Sequence, residues 1–266
     1  MLRGLVYSVL SAIAFGMMAI IVKFGYAAGM THMQMLQSRF VFGLGMLLAV
    51  LAVTAPKRLK AGWRTILKAA LIGLIVYTTQ SQCFFQALET IPASTTALIF
   101  YLHPAIVTLL SALVFRMRIT RTMFWSLLLV TGGCALVFYD AFLKSLDTTG
   151  VLYALGATLT FSLYLIICQK ALKDEHPLTF SFYVVLFTAI GFLIKGGGPG
   201  FLLHMDGERF MVALLLGLVP TCIAVTLLYK AIELVGSAFA AIFSTVEPVA
   251  TLLAAFWLLG EHIVWL

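Results

Sequence analysis

Long apolar segments follow one another along almost the whole chain, and no other feature limits its fold as strongly. Nine of them span 4–27, 33–54, 65–87, 93–114, 121–139, 150–171, 178–195, 210–233 and 237–259. Each is long enough to cross a bilayer as a helix, which takes about 17–25 residues and satisfies its own backbone hydrogen bonds. With 62% hydrophobic and 10% charged residues, the chain is too apolar for a soluble domain. The sequence therefore predicts an all-α membrane protein that crosses the bilayer several times.

Basic residues are distributed unevenly between the connections of these segments. With the N-terminus in the cytoplasm, twelve of the 17 Lys and Arg residues fall on the cytoplasmic side and three fall outside. The other two, Lys23 and Arg39, lie within apolar segments. Because cytoplasmic loops of membrane proteins carry an excess of Lys and Arg, the pattern predicts a cytoplasmic N-terminus. The net charge of +7 therefore reflects topology and does not indicate nucleic-acid binding.

The motifs of soluble enzymes and of metal sites are missing from the sequence. The chain has no GxxxxGK[ST] phosphate loop, no HExxH and no GxSxG. Its cysteines lie in apolar runs without metal-ligand spacing, at positions Cys83, Cys134, Cys168 and Cys222. We therefore expect no cofactor and no metal, and we interpret the cysteines as small buried side chains.

The second half of the chain repeats the pattern of the first half. A His103-Pro104 pair lies 144 residues before Glu247-Pro248, each in the middle of an apolar segment. With the same offset, FFQALETI (84–91) matches LYKAIELV (228–235), and with an offset of 146, GLVYSVLSAIAF (4–15) matches GVLYALGATLTF (150–161). The repeats predict two related units, 1–142 and 148–266.

Each unit contains five segments if the second unit is completed by a segment beyond residue 266. An odd number of helices places the second copy upside down in the membrane. Inverted repeats are typical of secondary transporters, whose substrate site lies near the midplane between the repeats, often at broken helices. We therefore expect an inverted repeat of two five-helix units, with nine helices in this sequence and a tenth after it.

Two stretches resemble signature regions of the drug/metabolite transporter superfamily, EamA type. They are FFQALETIPASTTALIFYLHPAIVTLLSALVF (84–115) and LLYKAIELVGSAFAAIFSTVEPVATLLAAFWLLGE (227–261). The resemblance implies ten helices, a central cavity lined by helices 1, 3, 4, 6, 8 and 9, and export of small metabolites, often amino acids or related compounds. One departure is that the first copy has Arg116-Met117 where the second has Gly260-Glu261. Any role of that acidic residue is therefore absent from the first half.

His103 and Glu247 are predicted to lie at the middle of the bilayer. Each is ten residues from the start of its segment, which is about 15 Å along a helix and half of a hydrocarbon core about 30 Å thick. An isolated charge there costs at least about 2.5–3.5 kcal/mol, and such residues face a bundle interior or an aqueous cavity. The pair either contacts the substrate or a proton, or consists of neutral, hydrogen-bonded interior residues.

Three prolines lie inside apolar segments, and each lacks the N–H that a helix needs there. Pro104, Pro248 and Pro220 free the carbonyls of Phe100, Ser244 and Leu216. The loosened turns serve either as hinges with open carbonyls beside a cavity or as packing kinks.

Polar and aromatic side chains share one face of the third segment. Tyr77, Gln80, Ser81 and Phe84 follow helical spacing, and such a face suits a cavity lining or interhelical hydrogen bonding better than lipid. Weaker candidates for the cavity are Tyr101, Ser162, Tyr164, Thr226, Tyr229 and Ser244. Arg39 either binds a substrate carboxylate or, as we favour, reaches the interface or pairs with a neighbour, and Lys23 is read in the same way.

These observations favour a secondary active transporter that exports small metabolites by alternating access. We expect a multi-pass protein of the bacterial inner membrane, coupled to a proton or substrate gradient, with the lipid bilayer and a small-molecule substrate as partners. No nucleic acid is expected, and the protein is a monomer or homodimer. The alternatives are an intramembrane enzyme, which needs a nucleophile–base pair or metal cluster at depth, and a channel, which needs rings of polar residues.

The predicted topology can be tested by labelling single cysteines with an impermeant reagent, in a background without the native cysteines. Arg58→Cys lies in a predicted cytoplasmic loop and should react only after permeabilisation. His204→Cys lies in a predicted outside loop and should react in intact cells. Labelling of position 58 from outside would overturn both the topology and the inverted repeat.

Overall fold

The computed structural model describes residues 2–143 and 146–259. Within these residues the chain consists of helices and their connections, without strands. The side chain of Cys134 and the Gly260-Glu261 pair lie outside the described residues. The prediction of an all-α fold is confirmed.

Nine helices follow the predicted segments within the described part of the chain. The first seven are α1 (Leu2–Ala27), α2 (His32–Thr54), α3 (63–90), α4 (93–115), α5 (Arg121–Leu143), α6 (Thr148–Ala171) and α7 (Pro177–Lys195). The last two, α8 (207–235) and α9 (237–259), adjoin at Gly236, whose φ of 80° is favourable only for glycine. Short 3₁₀ turns occupy Pro56–Leu59, Leu172–Asp174 and Gly200–Leu203.

Four of these helices are composite. In α3, a π-helical turn at Ile72–Tyr77 separates Trp63–Leu71 from Thr78–Thr90. In α4, a turn at 101–102 separates Ala93–Phe100 from His103–Phe115. In α8, a π-helical turn at Leu218–Ile223 follows Gly207–Gly217. In α9, 3₁₀ geometry at Ser244–Val246 precedes Glu247–Ala254 and a π-helical end at Ala255–Leu259.

Several helices have the length and hydropathy of membrane spans. Six such stretches occur among the described residues, at Leu2–Ala27, His32–Thr54, Thr95–Phe115, Thr148–Ala171, Pro177–Lys195 and Gly207–Leu258. The last stretch has 52 residues and contains both α8 and α9, which were predicted as separate spans. A multi-pass membrane protein is therefore the outcome, as predicted.

Polar residues cap the N-termini of several helices. Thr31 and Gln34 form a reciprocal capping box at the start of α2. Asp147 accepts a hydrogen bond from the backbone N–H of Thr149 before α6, and Asp206 caps α8 in the same way. These caps give the apolar helices defined ends at their polar connections.

The π-helical turns of α3 and α8 begin 146 residues apart. At each of them a threonine hydroxyl donates to a backbone carbonyl. The Thr78 hydroxyl donates to the Gly73 carbonyl (2.7 Å), and the Thr221 hydroxyl donates to the Leu216 carbonyl (3.0 Å), each five residues back. A π turn displaces the regular backbone pairing, and a nearby threonine hydroxyl satisfies the carbonyl left over. The offset equals that of one sequence match, which supports the repeat, although the repeat itself stays a prediction.

Glycines permit two close helix crossings, one between α2 and α8 and one between α3 and α7. A Cβ on Gly43 of α2 would lie 2.4 Å from Thr221 Cγ2 of α8. A Cβ on Gly73 of α3 would lie 2.6 Å from the Val184 carbonyl oxygen of α7. Small residues let membrane helices approach closely, since lipid provides no hydrophobic force between them. Each proposed half therefore packs its second helix against the third helix of the other half.

The first helix of each proposed half makes a similar crossing. A Cβ on Gly4 of α1 would lie 2.5 Å from Val235 at the end of α8. A Cβ on Gly150 of α6 would lie 2.2 Å from the Thr90 hydroxyl at the end of α3. The two proposed halves thus also contact each other where α1 crosses α8 and where α6 crosses α3.

The crossing of α2 and α8 predicts unequal effects of two alanine substitutions on one helix. Gly43→Ala should destabilise the protein by about 1–3 kcal/mol, because its Cβ would overlap Thr221. A Cβ on Gly45 would have no neighbour within 4 Å. Gly45→Ala should therefore leave the stability unchanged, or raise it slightly because alanine has the higher helix propensity. Thermal unfolding of the purified protein in detergent measures both. Equal unfolding temperatures for the two variants would contradict the close crossing.

Candidate functional site

Polar side chains are buried at two neighbouring places in the centre of the helical bundle. The first place, which we call the central pair region, contains His103, Glu247, Tyr101 and Ser244 from α4 and α9. The second, the tyrosine cluster, contains Tyr77, Tyr164 and Tyr229 from α3, α6 and α8. All of these side chains are buried.

His103 and Glu247 are connected through Tyr101. Only 1% of His103 and 6% of Glu247 is exposed. The Tyr101 hydroxyl donates to the Ser244 carbonyl (2.8 Å) and also lies within hydrogen-bonding range of the Glu247 carboxyl group. The Tyr101 ring centroid is 5.3 Å from that of His103. The structure thus brings the predicted pair to one region, with a tyrosine between them.

One nitrogen of His103 has no partner among the described residues. His103 Nδ1 lies 2.9 Å from the Phe100 carbonyl oxygen, and a carbonyl only accepts, so Nδ1 carries the hydrogen of this contact. In the neutral ring, Nε2 is then an acceptor, and it is buried without a hydrogen-bond partner. Its surroundings are aromatic, with the Phe161 ring centroid at 5.0 Å. A ligand that donates a hydrogen bond would satisfy this atom.

The carbonyls freed by the three prolines all have side-chain donors. Phe100 O faces His103 Nδ1, Ser244 O accepts from Tyr101, and Leu216 O accepts from Thr221. Of the two alternatives for these turns, hinges with open carbonyls and packing kinks, the first therefore lacks its open carbonyls, because a buried backbone acceptor without a partner is costly. The role of Pro104, Pro248 and Pro220 as hinges stays a hypothesis.

The tyrosine cluster is a stacked and hydrogen-bonded series. The rings of Tyr77 and Tyr164 stack with centroids 4.8 Å apart and an interplanar angle of 17°. The hydroxyls of Tyr164 and Tyr229 lie 2.5 Å apart, and the Cys168 thiol lies 3.8 Å from the Tyr229 hydroxyl. The ring of Phe161 stacks on Tyr164 at 5.8 Å and contacts His103, so it joins the two regions.

Arg39 of α2 adjoins this cluster at Tyr77 and is 1% exposed. Its Nη2 donates to the Tyr77 hydroxyl (3.0 Å), and its Nε donates to the Thr221 hydroxyl (3.1 Å). Reaching the membrane interface, one of the two explanations we favoured, is therefore wrong for Arg39. Lys23 instead donates to the carbonyls of Leu88 and Ile91 at the end of α3.

The remaining predicted residues differ in their surroundings. Gln80 and Phe84 are buried, and the Ser81 hydroxyl donates to the Gln80 amide oxygen (3.3 Å). The Ser162 hydroxyl donates its hydrogen within its own helix, to the Thr158 carbonyl (2.8 Å), so it could meet a ligand only as an acceptor. Thr226 Oγ1 is buried and has no partner among the described residues.

Sequence reasoning left three residues of this region outside the predicted site. Arg39 gave a signal, since a charged residue within an apolar segment is a functional candidate, but its partners could not be known. Thr221 follows Pro220, and Phe161 is one of 21 phenylalanines, so neither stands out in the sequence. Among the described residues, no group of three or more His, Cys, Asp or Glu side chains is placed to hold a metal ion.

Comparison with known proteins gives matches along most of the chain. The model of the EamA-like transporter family matches residues 2–139 and 148–266. The "Uncharacterized transporter YwfM" of Bacillus subtilis (strain 168) is 31% identical over 144 residues, which are 53% of this chain. The match spans only about half of that relative, 48% of its length.

A solved structure titled "Crystal structure of protein" has the same fold. It superposes with a TM-score of 0.75 at 16% sequence identity, and the match covers 98% of this chain and 90% of the other. At this identity the likeness concerns the fold alone. Because the family model covers nearly the whole chain in two ranges, this multi-pass membrane protein belongs to the EamA-like transporter family.

Proposed function

We propose that the protein is a secondary active transporter that exports small metabolites, amino acids or related compounds, by alternating access. The observation that carries this proposal is the central pair region. There, an unpartnered acceptor on His103 and a carboxyl group on Glu247 are buried where two apolar helices are interrupted. Ionisable groups within membrane helices usually belong to a substrate or ion pathway.

The helix interruptions support a midplane binding site. α4 is interrupted by a turn at 101–102, directly before His103, and α9 adopts 3₁₀ geometry at Ser244–Val246, directly before Glu247. Broken helices place backbone and side-chain polar groups beside the substrate in many secondary transporters. The central cavity, lined by α1, α3, α4, α6, α8 and α9, belongs to this proposal.

Alternating access requires two units that can move against each other around the site. The interlocked crossings of α1 with α8 and of α6 with α3 support two such units, 1–142 and 148–266. Pro104, Pro248 and Pro220 are the proposed hinges, since each weakens the helix at this depth. The proposed setting is the bacterial inner membrane with the N-terminus in the cytoplasm.

The arrangement favours a carrier over the two alternatives. An intramembrane hydrolase would need a nucleophile activated by a base. The hydrogen-bond partners of the Cys168 thiol among the described residues are the hydroxyls of Tyr229 and Tyr164, and a tyrosine is no base at neutral pH. A channel would need rings of repeated polar groups, whereas His103 and Glu247 differ in chemistry. Counterflow in proteoliposomes, in which unlabelled substrate inside drives uptake of labelled substrate, identifies a carrier.

Glu247→Gln tests the proposed coupling. The change keeps the shape and most hydrogen bonding, including the contact with Tyr101, but removes the proton-binding group. We expect normal membrane expression with loss of transport, or with loss of its pH dependence, measured by counterflow of labelled L-amino acids across several pH values. Glu233→Gln is the matched control, because Glu233 is exposed on α8 and should leave transport unchanged. Equal pH profiles for Glu247→Gln and the wild type would contradict the proposal.

His103→Gln tests the other member of the pair. Glutamine can still donate to the Phe100 carbonyl, but it removes the ring acceptor Nε2. We expect a weaker apparent substrate affinity with little change in the unfolding temperature. His176→Gln is the control, because His176 caps α7 on the loop before it. A wild-type transport rate and affinity for His103→Gln would assign this histidine to structural packing.

A further inference from the structure

A single cation is buried where several aromatic rings meet. The Arg39 guanidinium carbon lies 4.8 Å from the ring centroid of Phe40, 5.7 Å from that of Phe85 and 5.9 Å from that of Tyr77. At about 1.5 Å per residue, Arg39 is roughly 10 Å along α2 from its start at His32. Its side chain contacts Tyr77 and Thr221, which belong to the π-helical turns of α3 and α8. The guanidinium thus lies deep in the apolar layer and away from water.

No negative charge balances Arg39 within the described chain. The ion pairs there are His32–Glu89, Lys68–Glu175 and Arg209–Asp206, at the ends of the helices. Both hydrogen-bond partners of Arg39 are neutral hydroxyls. A guanidinium keeps its charge in proteins, and burying an unpaired charge costs several kcal/mol. Cation–π contacts offset about 2 kcal/mol of this when desolvated, so the cation remains under-compensated.

The groups around Arg39 leave hydrogen-bond donors available. The Thr221 hydroxyl donates to the Leu216 carbonyl and therefore faces Arg39 as an acceptor. The Tyr77 oxygen accepts from Arg39, and its own hydrogen has no acceptor among the described residues. A guanidinium has five N–H donors in a planar fork, of which two are used by these contacts. The free donors of Arg39 and the Tyr77 hydroxyl are suited to one planar anion.

We propose that Arg39, with the Tyr77 hydroxyl, binds the carboxylate group of the transported metabolite. This inference rests on the proposed transport function and names the substrate class for it. Arginine binds carboxylates through two parallel hydrogen bonds, and such charge-assisted bonds are about twice as strong as neutral ones. One guanidinium matches the single charge of a carboxylate. A phosphate would need further cations, and the hydrogen bonds of Lys23 and Arg209 go to backbone carbonyls away from Arg39: Lys23 to Leu88 and Ile91, and Arg209 to Ala28.

The tyrosine cluster connects this proposed carboxylate site to the central pair region. Tyr77 stacks on Tyr164, Tyr164 stacks on Phe161, and Phe161 contacts His103. A metabolite with its carboxylate at Arg39 would therefore meet an aromatic wall and then the polar groups of the central pair region. This order of groups fits an amino acid or a related carboxylate with an apolar body.

Thermal unfolding of the purified full chain with matched ligands tests the inference. The ligands are L-amino acids and short aliphatic and aromatic carboxylates, each paired with its carboxamide. We expect at least one carboxylate to raise the unfolding temperature of the wild type while its carboxamide does not. In Arg39→Met, the affinity for that carboxylate should fall by at least about 30-fold, the loss typical of truncating a buried charge pair. Arg209→Met removes a half-exposed outer cation and should retain the wild-type response.

A second comparison applies if Arg39→Met does not fold. Thr221→Asp places a carboxylate beside Arg39 Nε, whereas Thr221→Asn has the same shape without the charge. We expect the aspartate variant to lose its response to carboxylates and the asparagine variant to keep it. An aspartate variant that responds to carboxylates as the wild type does would show that Arg39 does not bind them.

Other results would also overturn the inference. These are a wild type that no carboxylate stabilises, a wild type that carboxamides stabilise equally, and an Arg39→Met variant with undiminished carboxylate binding. Stabilisation by inorganic phosphate above that by carboxylates would assign the site to a different anion. Counterflow distinguishes failure of the inference about Arg39 from failure of the proposed transport function. Transport without carboxylate binding would refute only the role of Arg39. Carboxylate binding without counterflow would refute only the carrier function.

Discussion

The absence of water in the bilayer requires every buried backbone group to find a partner within the protein. Three prolines break this pairing at the depth of the central site, and three side chains restore it: His103, Tyr101 and Thr221. The orientation of each of these three side chains is thereby fixed by its hydrogen bond to a carbonyl that lacks its usual backbone N–H partner, because a proline lies four residues further along. His103 is left with Nε2 directed into aromatic surroundings, and Thr221 is left with a lone pair towards Arg39. The candidate site is thus a consequence of how the chain satisfies its own backbone.

The two proposed halves differ in how they provide a donor for the carbonyl that the proline frees, at Phe100 in the first half and at Ser244 in the second. Phe100 O is satisfied by His103, which lies three residues further along the same helix, so the first half is self-contained there. Ser244 O is satisfied by Tyr101 from the opposite half, so the second half depends on its neighbour. The two turns therefore differ in the origin of their donors, and neither carbonyl is left unpaired. An asymmetric pair of walls suits an asymmetric small molecule.

Much of the fold could be predicted from the sequence, because hydrophobic length and composition are local properties. The nine segments were placed within a few residues of the helices, and His103, Glu247 and the tyrosines were recognised as polar groups at depth. Contacts between helices depend on glycines and aromatic side chains that are far apart in the sequence. The patterns in a single sequence do not show which of these residues contact each other. For that reason the partners of Arg39, the bridge made by Phe161 and the capture of the proline-freed carbonyls became known only from the structure.

The glycine crossings of α2 with α8 and of α3 with α7 have a mechanical consequence. Gly43 meets Gly217 and Thr221 without side-chain ridges between the backbones, and Gly73 meets α7 in the same way. Helices that interdigitate through large side chains move in steps, since each rotamer must leave its groove. Surfaces without ridges allow small sliding displacements, the shear motion seen in domain closure. The same glycines that let the helices pack closely thus leave surfaces that are suited to small sliding displacements.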